Sequence, residues 1–420
     1  MADPPRILVL FGGVALFGAE RGNIEALVAL KRQGAEVLFL LSDERWNTII
    51  PLALEERGFA WRKVPYLCIG KGLTWYKLLW GNARRLVQAN IAFLRAVRDF
   101  KPTHIHVNSQ FFVANFLLGL TLLRRPLVFR AGDEPTTHNW FWRAAWRYVV
   151  HRTDRFVANS SFVAKSLAAN GVPEHRIEVI YNKPPERMKM AKEDQTAWAP
   201  FAGRLIAYVG QIAEHKGPHL LIEAFKHVAG EFPDVRLALA GRISDWAGDA
   251  WARDLRSRTL ADPPLANRVE FLGVIEDVPC FLAQSAFVVV PSLFADPSPN
   301  VIVEAKAAGR AVIGFPRGGI PELIQHGVDG LVCDSADAVA LVRALRAYLT
   351  FPDQAMAAGE ASRLSLAHLR VHEFAERWAH VYQVASEEYG MRRARAMPPK
   401  NRRPRGRSIF SDRGSTRSSK

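Results

Sequence analysis

Two carboxylates eight positions apart, Asp296 and Glu304, occupy the stretch PSLFADPSPNVIVEAKAAG, residues 291–309. Ser298 followed by Pro299 reads as a helix N-cap and first helical position. Val301, Ala305 and Ala308 then share an inward face, and Gly309 ends the helix. Glu304 falls on the edge of that face, where a lone ionised carboxylate costs on the order of several kcal/mol in desolvation. It needs a partner or a ligand. The helix start leaves backbone N–H groups at Asn300 and Val301 open to an anion, and an anion carrying a hydroxyl-bearing group beside it would satisfy both features. Lys216, in GQIAEHKGPHLLIEAF, follows an apolar run and precedes Gly217. Its ammonium would face the same place, and a charge pair at about 4 Å contributes roughly 1–4 kcal/mol depending on exposure. The plain structural alternatives are a helix-edge ion pair for Glu304 and a solvated loop lysine for Lys216.

Such residues must be carried on strand ends. RILVLFGG is a short apolar strand running into glycines, followed by a helix-like run from Arg21 to Gln33 and a second strand, AEVLFLLS. THIHVNS, RPLVFRAGD, DRFVANS and IEVIYN continue the alternation. After a polar, proline-bearing stretch at 182–201 the pattern restarts with GRLIAYVGQ, VRLALAG, VEFLG, AFVVVPS, RAVIGF and GLVCD. Alternating strands and helices predict parallel sheets covered by helices. The expected fold class is α/β, with two facing Rossmann-like doubly wound domains at 1–195 and 196–367. A C-terminal helix at 368–390, with Phe374, Trp378, Val381 and Tyr382 on one face, is expected to pack back on the first domain. Ligands of such sheets lie beyond the carboxyl ends of the strands, so the cleft between the halves is the expected site.

In order and spacing, GQIAEHKGPHLLIEAF, VRLALAGR, NRVEFLGVIEDVPCFLAQSAFVVVPSL and DPSPNVIVEAKAAGRAVIGFPRGGIPELIQHGVDGLV resemble the nucleotide-sugar-binding half of the retaining glycosyltransferases of family 4, the group 1 enzymes of GT-B fold. The resemblance covers nearly all of residues 203–350. It implies that Glu304 accepts hydrogen bonds from the donor's ribose hydroxyls and that Asp296 contacts the transferred sugar. Lys216 and backbone groups from Pro299 through Asn300 and Val301 to Ile302 would hold the diphosphate. Gly318, Gly319 and Glu322 of RGGIPE also match. In the first half, GAER supplies Gly18, Glu20 and Arg21 on the acceptor side, and Gly12 and Gly13 could let backbone approach a phosphate.

Three positions depart from the family pattern. Gln211 stands where the family carries an Arg, leaving Arg317 or Arg242 as candidates for the second cation. Gly132 stands at the position of a family His, which makes Asp133 and His138 the acceptor-side candidates, Asp133 as the polar group beside the acceptor hydroxyl. Asp296 replaces the first Glu of the pair, one methylene shorter. The implied activity is a metal-free retaining transfer from a UDP-, GDP- or ADP-sugar, used as co-substrate with no permanently bound cofactor, to a saccharide or lipid-linked acceptor of cell-surface polysaccharide, lipopolysaccharide or glycolipid. A non-catalytic nucleotide-sugar-binding or scaffold protein of the same fold is the rival. A dehydrogenase is disfavoured because no G-x-G-x-x-G follows either first strand.

The net charge is +15. Eleven Lys and Arg against Asp412 alone lie from Met391 onward, so +10 of it belongs to a tail, 391–420, too rich in Arg, Pro and Ser to bury a core and read as disordered. No nucleic-acid motif accompanies the charge, and nucleic acid is not an expected partner. Cys68, Cys280 and Cys333 show no disulfide or metal spacing. With no signal-peptide pattern and no apolar run of membrane-spanning length, a cytoplasmic protein is expected. Aromatic and basic residues interleave in KGLTWYKLLWGNARRL and NWFWRAAWRYVVHR. These stretches read either as ordinary packing or as a peripheral surface on the anionic inner face of the cytoplasmic membrane.

Overall fold

A computed structural model describes residues 4–12, 18–43, 49–66, 75–184, 204–243 and 249–396. The first sheet joins β1 (Arg6–Leu10), β2 (Glu36–Ser42), β3 (Ala60–Val64), β4 (His104–Val107), β5 (Leu127–Ala131), β6 (Arg155–Ala158) and β7 (Ile177–Val179). All pairings are parallel, in the order β3-β2-β1-β4-β5-β6-β7. The second joins β8 (Arg204–Val209), β9 (Val235–Ala240), β10 (Val269–Gly273), β11 (Phe287–Val290), β12 (Ala311–Gly314) and β13 (Gly330–Val332) in the parallel order β10-β9-β8-β11-β12-β13. Strand order reverses between β1 and β4 and between β8 and β11, so each sheet has a switch point where a crevice opens. The central strands are buried throughout because helices cover both faces, His104, His106 and Arg130 being the polar exceptions in otherwise apolar runs. β3 was not expected: AWRKV is an edge strand with one buried residue, and its charges hide it from an apolar-run search.

The helix Phe374–Ala396 leaves the second half and packs on the first sheet, where Phe374, Trp378, Val381 and Tyr382 join Ile7, Val9 and Phe39 in one core. It continues past residue 390 to Ala396, so the first residues of the basic segment are helical rather than part of a tail beginning at 391; residues 397–420 lie outside the described residues. Polar contacts fix its register. His106, buried at the centre of β4, lies 2.7 Å from Tyr382 Oη through Nδ1 and 3.0 Å from Asn23 Oδ1 through Nε2. Asn23 Nδ2 donates to Ala19 O, which orients its Oδ1 as the acceptor. The neutral imidazole with the proton on Nε2 satisfies both contacts. Burial, with the nearby Arg130 charge second, holds His106 down at about 3. Burial likewise lowers the neighbouring His104 to about 4.

The helix Asn300–Ala307, which carries Glu304, is anchored at its other end by a charge pair inside the second half. Lys306 Nζ donates to Asp329 Oδ2 at 2.6 Å and to Ser365 Oγ at 2.9 Å, and both charged side chains are at most 2% exposed. Asp329 Oδ1 accepts from Gln325 N at 2.9 Å, so the remaining carboxylate oxygen is also satisfied.

Lys306→Met therefore leaves a buried, uncompensated carboxylate. A loss of roughly 3–5 kcal/mol is expected by chemical denaturation, whereas a loss under about 1 kcal/mol would show that the pair does not anchor the helix. A second expectation concerns pH. The unfolded chain protonates its histidines near the ordinary value of about 6.5 while folded His104 and His106 refuse the proton, so stability falls as pH drops below that value. Each contributes roughly 2 kcal/mol of loss between pH 7 and pH 5. His106→Gln should flatten the slope of unfolding free energy over this range, and an unchanged slope would contradict the assignment.

Candidate functional site

The amino end of the Asn300–Ala307 helix stands at the carboxyl end of β11, facing the first half. Its N-cap is Pro299 at φ −63°, ψ 115°, with no side-chain cap. The expectation that Ser298 caps and Pro299 begins the helix is thus one residue early. Proline forces the residue before it out of the helical region, and Pro299 is itself extended, so the Ser298 hydroxyl does not reach the helix amides. It is buried with no hydrogen-bond partner among the described residues. The helix start presents uncapped amides beside an orphaned hydroxyl, a local shortage of acceptors.

Asp296 is held from three sides. Lys216 Nζ donates to its Oδ2 at 2.6 Å, and the same ammonium lies 4.4 Å from the Phe294 ring centroid. Gly217, at φ +72°, allows the Lys216 loop to press on the end of β11; a Cβ there would lie 2.0 Å from Pro291 O. Gly318, at φ +57°, and Gly319 close from below, where added Cβ atoms would lie 2.3 Å from Asp296 O and 2.1 Å from Pro297 O. Gly319 N also donates to Asp296 O at 2.8 Å. Lys216 and Asp296, read from sequence as separate anion and sugar contacts, meet each other directly.

Glu304 is 3% exposed and its charge is met from across the cleft: Arg21 Nη2 donates to Oε1 at 2.5 Å. Arg21, expected on the acceptor side, sits instead against Glu304, the carboxylate expected to bind the donor. Gly18 carries the Arg21 helix close enough for this. Its carbonyl accepts from Asn300 Nδ2 at 3.2 Å, and a Cβ on it would already lie 3.3 Å from that nitrogen. Asn300 Oδ1 accepts from Asn182 Nδ2 at 2.6 Å, and Asn182 Oδ1 in turn accepts from Arg130 Nη2 at 2.6 Å. Arg130 is fully buried on β5 and also donates to Ala19 O. Burial lowers it to about 10, with the nearby Glu20 charge opposing. Glu20 is half-buried on the first turn of its helix.

A second carboxylate crosses in the other direction. Glu322 Oε2 accepts from Ser161 N at 2.8 Å and from Tyr181 Oη at 2.9 Å, while Oε1 accepts from Phe162 N at 3.0 Å. A side chain of the second half thereby engages the amino end of the Ser161–Ala169 helix of the first. Arg21–Glu304, Asn182–Asn300 and Glu322 together fix the width of the cleft.

The remaining candidates differ in their surroundings. Gly12 is buried beneath Phe112, whose ring would meet a Cβ at 2.1 Å, so packing alone requires a glycine there. Gly13 lies outside the described residues. Gln211 is half-buried and its carbonyl accepts from Tyr208 Oη at 2.7 Å. Arg317 and Arg242 are exposed. Asp133 is exposed, with Oδ1 accepting from Glu134 N at 2.9 Å, and exposed His138 contacts Asn139 on its own loop. Sequence reading missed Arg130, Asn182 and Asn108. Arg130 carried the same signal as Glu304, a charge within an apolar run. Asn108 follows β4, and its Oδ1 is buried without a partner among the described residues.

The sequence pattern of glycosyl transferases group 1 matches residues 203–350, and that of glycosyltransferase family 4 matches residues 18–182. The chain is 27% identical over 286 residues to the lipopolysaccharide core biosynthesis mannosyltransferase LpcC of Rhizobium leguminosarum bv. viciae, spanning 68% of this chain and 77% of that protein. Anabaena Alr3699/HepE, solved with UDP and glucose, superposes with a TM-score of 0.71 at 20% identity, covering 90% of this chain and 99% of that one. WaaG, a glycosyltransferase involved in lipopolysaccharide biosynthesis, superposes with a TM-score of 0.62 at 14% identity, over 89% and 99%. Two family patterns that together account for most of the chain, on two facing parallel sheets of the GT-B type, establish that it belongs to the group 1, family 4 glycosyltransferases.

Proposed function

We propose that the protein is a retaining glycosyltransferase that moves a hexosyl residue from a nucleoside diphosphate sugar to a hydroxyl of a saccharide or lipid-linked acceptor in cell-envelope polysaccharide or lipopolysaccharide synthesis. The observation that carries this reading is the Asn300–Ala307 helix start: uncapped amides, the orphaned Ser298 hydroxyl and the buried Glu304 carboxylate lie within two turns of each other. A diphosphate would supply the missing acceptors. The ribose hydroxyls of the attached nucleoside would donate to the Glu304 oxygen that Arg21 does not use.

In this reading the glycosyl C1–oxygen bond to the diphosphate breaks while the acceptor oxygen bonds to C1 from the same face. The acceptor proton passes to the departing phosphate oxygen. The residues of the chain then have three tasks: to stabilise charge on the leaving diphosphate, to hold the sugar and to exclude water. Lys216 and the helix amides do the first, and Asp296, kept in place by Lys216 and the Gly318–Gly319 loop, does the second. Asp133 is proposed at the acceptor mouth, and Arg317, next to that glycine pair, as the second cation on the diphosphate. The lipopolysaccharide mannosyltransferase LpcC and the UDP- and glucose-bound HepE support a hexosyl donor. Gln211 and Gly132, at family Arg and His positions, favour the rival reading of a protein that binds the nucleotide without transfer.

Incubation with UDP-, GDP- and ADP-hexoses and saccharide acceptors, followed by proton NMR, tests the proposal. Release of nucleoside diphosphate with the donor's anomeric configuration kept in the product is expected. Nucleotide binding without transfer to any acceptor would favour the rival, and an inverted product would contradict retention. Asp296→Ala is expected to lower turnover by about 10²-fold while changing nucleotide affinity only a few-fold, since it removes a contact made at the sugar. Glu304→Ala should impair both, and the reverse ordering would overturn the two roles.

A further inference from the structure

The first half carries a pair of neighbouring cavities that share no lining residue with the Glu304 cleft. One is an apolar cleft of about 560 Å³, within the roughly 300–1,000 Å³ typical of ligand sites. Leu86 and Val87 of the Trp75–Phe100 helix, Leu117 and Leu118 of the Leu117–Leu122 helix, and Phe141 and Tyr148 of the Trp140–Arg152 helix form its wall. Its polar side chains are already engaged with backbone. Asn90 donates to Asn115 O and accepts from Gly119 N, Asn115 donates to Phe111 O, and Tyr148 Oη contacts Leu117 O and Thr121. What the wall offers a ligand is alkyl and aromatic surface. At the rim Val87 is 57% exposed and Leu118 58%, and Leu122 on the neighbouring cavity is 66% exposed, a grouping of large apolar side chains that a free surface does not favour.

The second cavity, about 490 Å³, meets the first at Tyr148 and has Leu122 on its edge. Arg124, His151, Arg152, Arg392 and Arg393 line it, against the single carboxylate of Asp154. That carboxylate is committed to Arg392 at 2.7 Å and Leu127 N at 2.8 Å, and Arg152 to the carbonyls of Leu120 and Arg125. Exposed Arg124, His151 and Arg393 remain to face an anion. The Phe374–Ala396 helix ends beside this cavity, and the sequence beyond it holds eight further Lys and Arg against Asp412. No helix among the described residues is long and apolar enough to cross a membrane. The sequence suggested a membrane surface of interleaved aromatics here, yet Trp142 and Trp146 are buried in the core and only Trp140 of that helix's tryptophans is exposed, at 61%. The side chains of 75–81 lie outside those described.

An alkyl-lined cleft that shares Tyr148 as a wall with a cationic one matches an amphiphile with an anionic head. We propose that the pair forms a site for one anionic glycerophospholipid of a membrane leaflet. The acyl chain enters the cleft beside Leu118 and Phe141, and the head phosphate lies among Arg124, His151 and Arg393. This reading is independent of the transferase assignment, because it involves no residue of the Glu304 cleft.

The test titrates the full-length protein with a fluorescent lysophosphatidylglycerol below its micelle concentration, alongside sedimentation with phosphatidylcholine vesicles containing about three-tenths phosphatidylglycerol. Saturable binding of one probe per chain is expected. It should weaken at least ten-fold in Ala145→Trp, which fills the cleft, and in Leu118→Glu, whose position on the rim spares the core. Arg124→Glu with Arg393→Glu should weaken the anionic probe ten-fold and leave a lysophosphatidylcholine analogue within two-fold. Full affinity in both cleft variants, with unchanged circular dichroism melts, would overturn the proposal. Complete displacement of the probe by equimolar glycerol phosphate would do the same, since it would reduce the site to one for anions alone.

Discussion

A carboxylate that packing alone would not place inside a helix fixes much of this molecule. Glu304 sits in the inward-facing run of the Asn300–Ala307 helix, with its charge compensated by an arginine from the opposite half. A buried charge is tolerated only when partnered, so the two halves must approach at this point, and the residues around it follow. Gly18 is small where the Arg21 helix comes near Asn300, and Arg130 and Asn182 brace Asn300 from behind. Lys306, two residues further along the helix, pins it to Asp329 so that the amino end keeps its aim. Glu322 provides the return contact, from the second half to a helix of the first.

These contacts give the cleft an electrostatic character that neither sheet has alone. On one wall are uncapped amides and a lysine, and on the other an arginine and a buried guanidinium. In the proposed reaction a negative ligand charge would be met there without a cluster of exposed cations, because helix ends and buried side chains act in a medium of lower dielectric than water. The paired acids matter as much as the bases. Asp296 holds Lys216 and Glu304 holds Arg21, so each cation already has a set position before any ligand arrives. Prearranged groups of this kind lower the cost of ordering at the moment of reaction.

Most of the fold was legible because central strands buried on both faces read as continuous apolar runs, and glycines mark their ends. The edge strand β3 was not, since its exposed faces carry Arg62 and Lys63. In the site, Glu304 stood out as an acid in an apolar helix, and Lys216 as a base next to a glycine turn. The same test applied to LVFRA would have found Arg130. The partnership of Arg21 with Glu304 was beyond local reading, because 283 positions separate the two and only the approach of the sheets joins them. The cap failed for a different reason: Ser-Pro matches the usual pattern, but the extended backbone of Pro299 moves the helix start and strands the hydroxyl. An apparent defect in capping is what makes the helix end available to a ligand.

Arg21 and Glu304 meet as one ion pair across the cleft, and a shared role in binding ties their contributions together. Calorimetric affinities for the nucleoside diphosphate of the preferred donor, measured in the wild type, Arg21→Ala, Glu304→Ala and the double variant, test this pairing. Each single change is expected to weaken binding, and the double variant to bind no more weakly than Glu304→Ala alone, a coupling of roughly 1–3 kcal/mol. Fully additive losses, with coupling near zero, would contradict it.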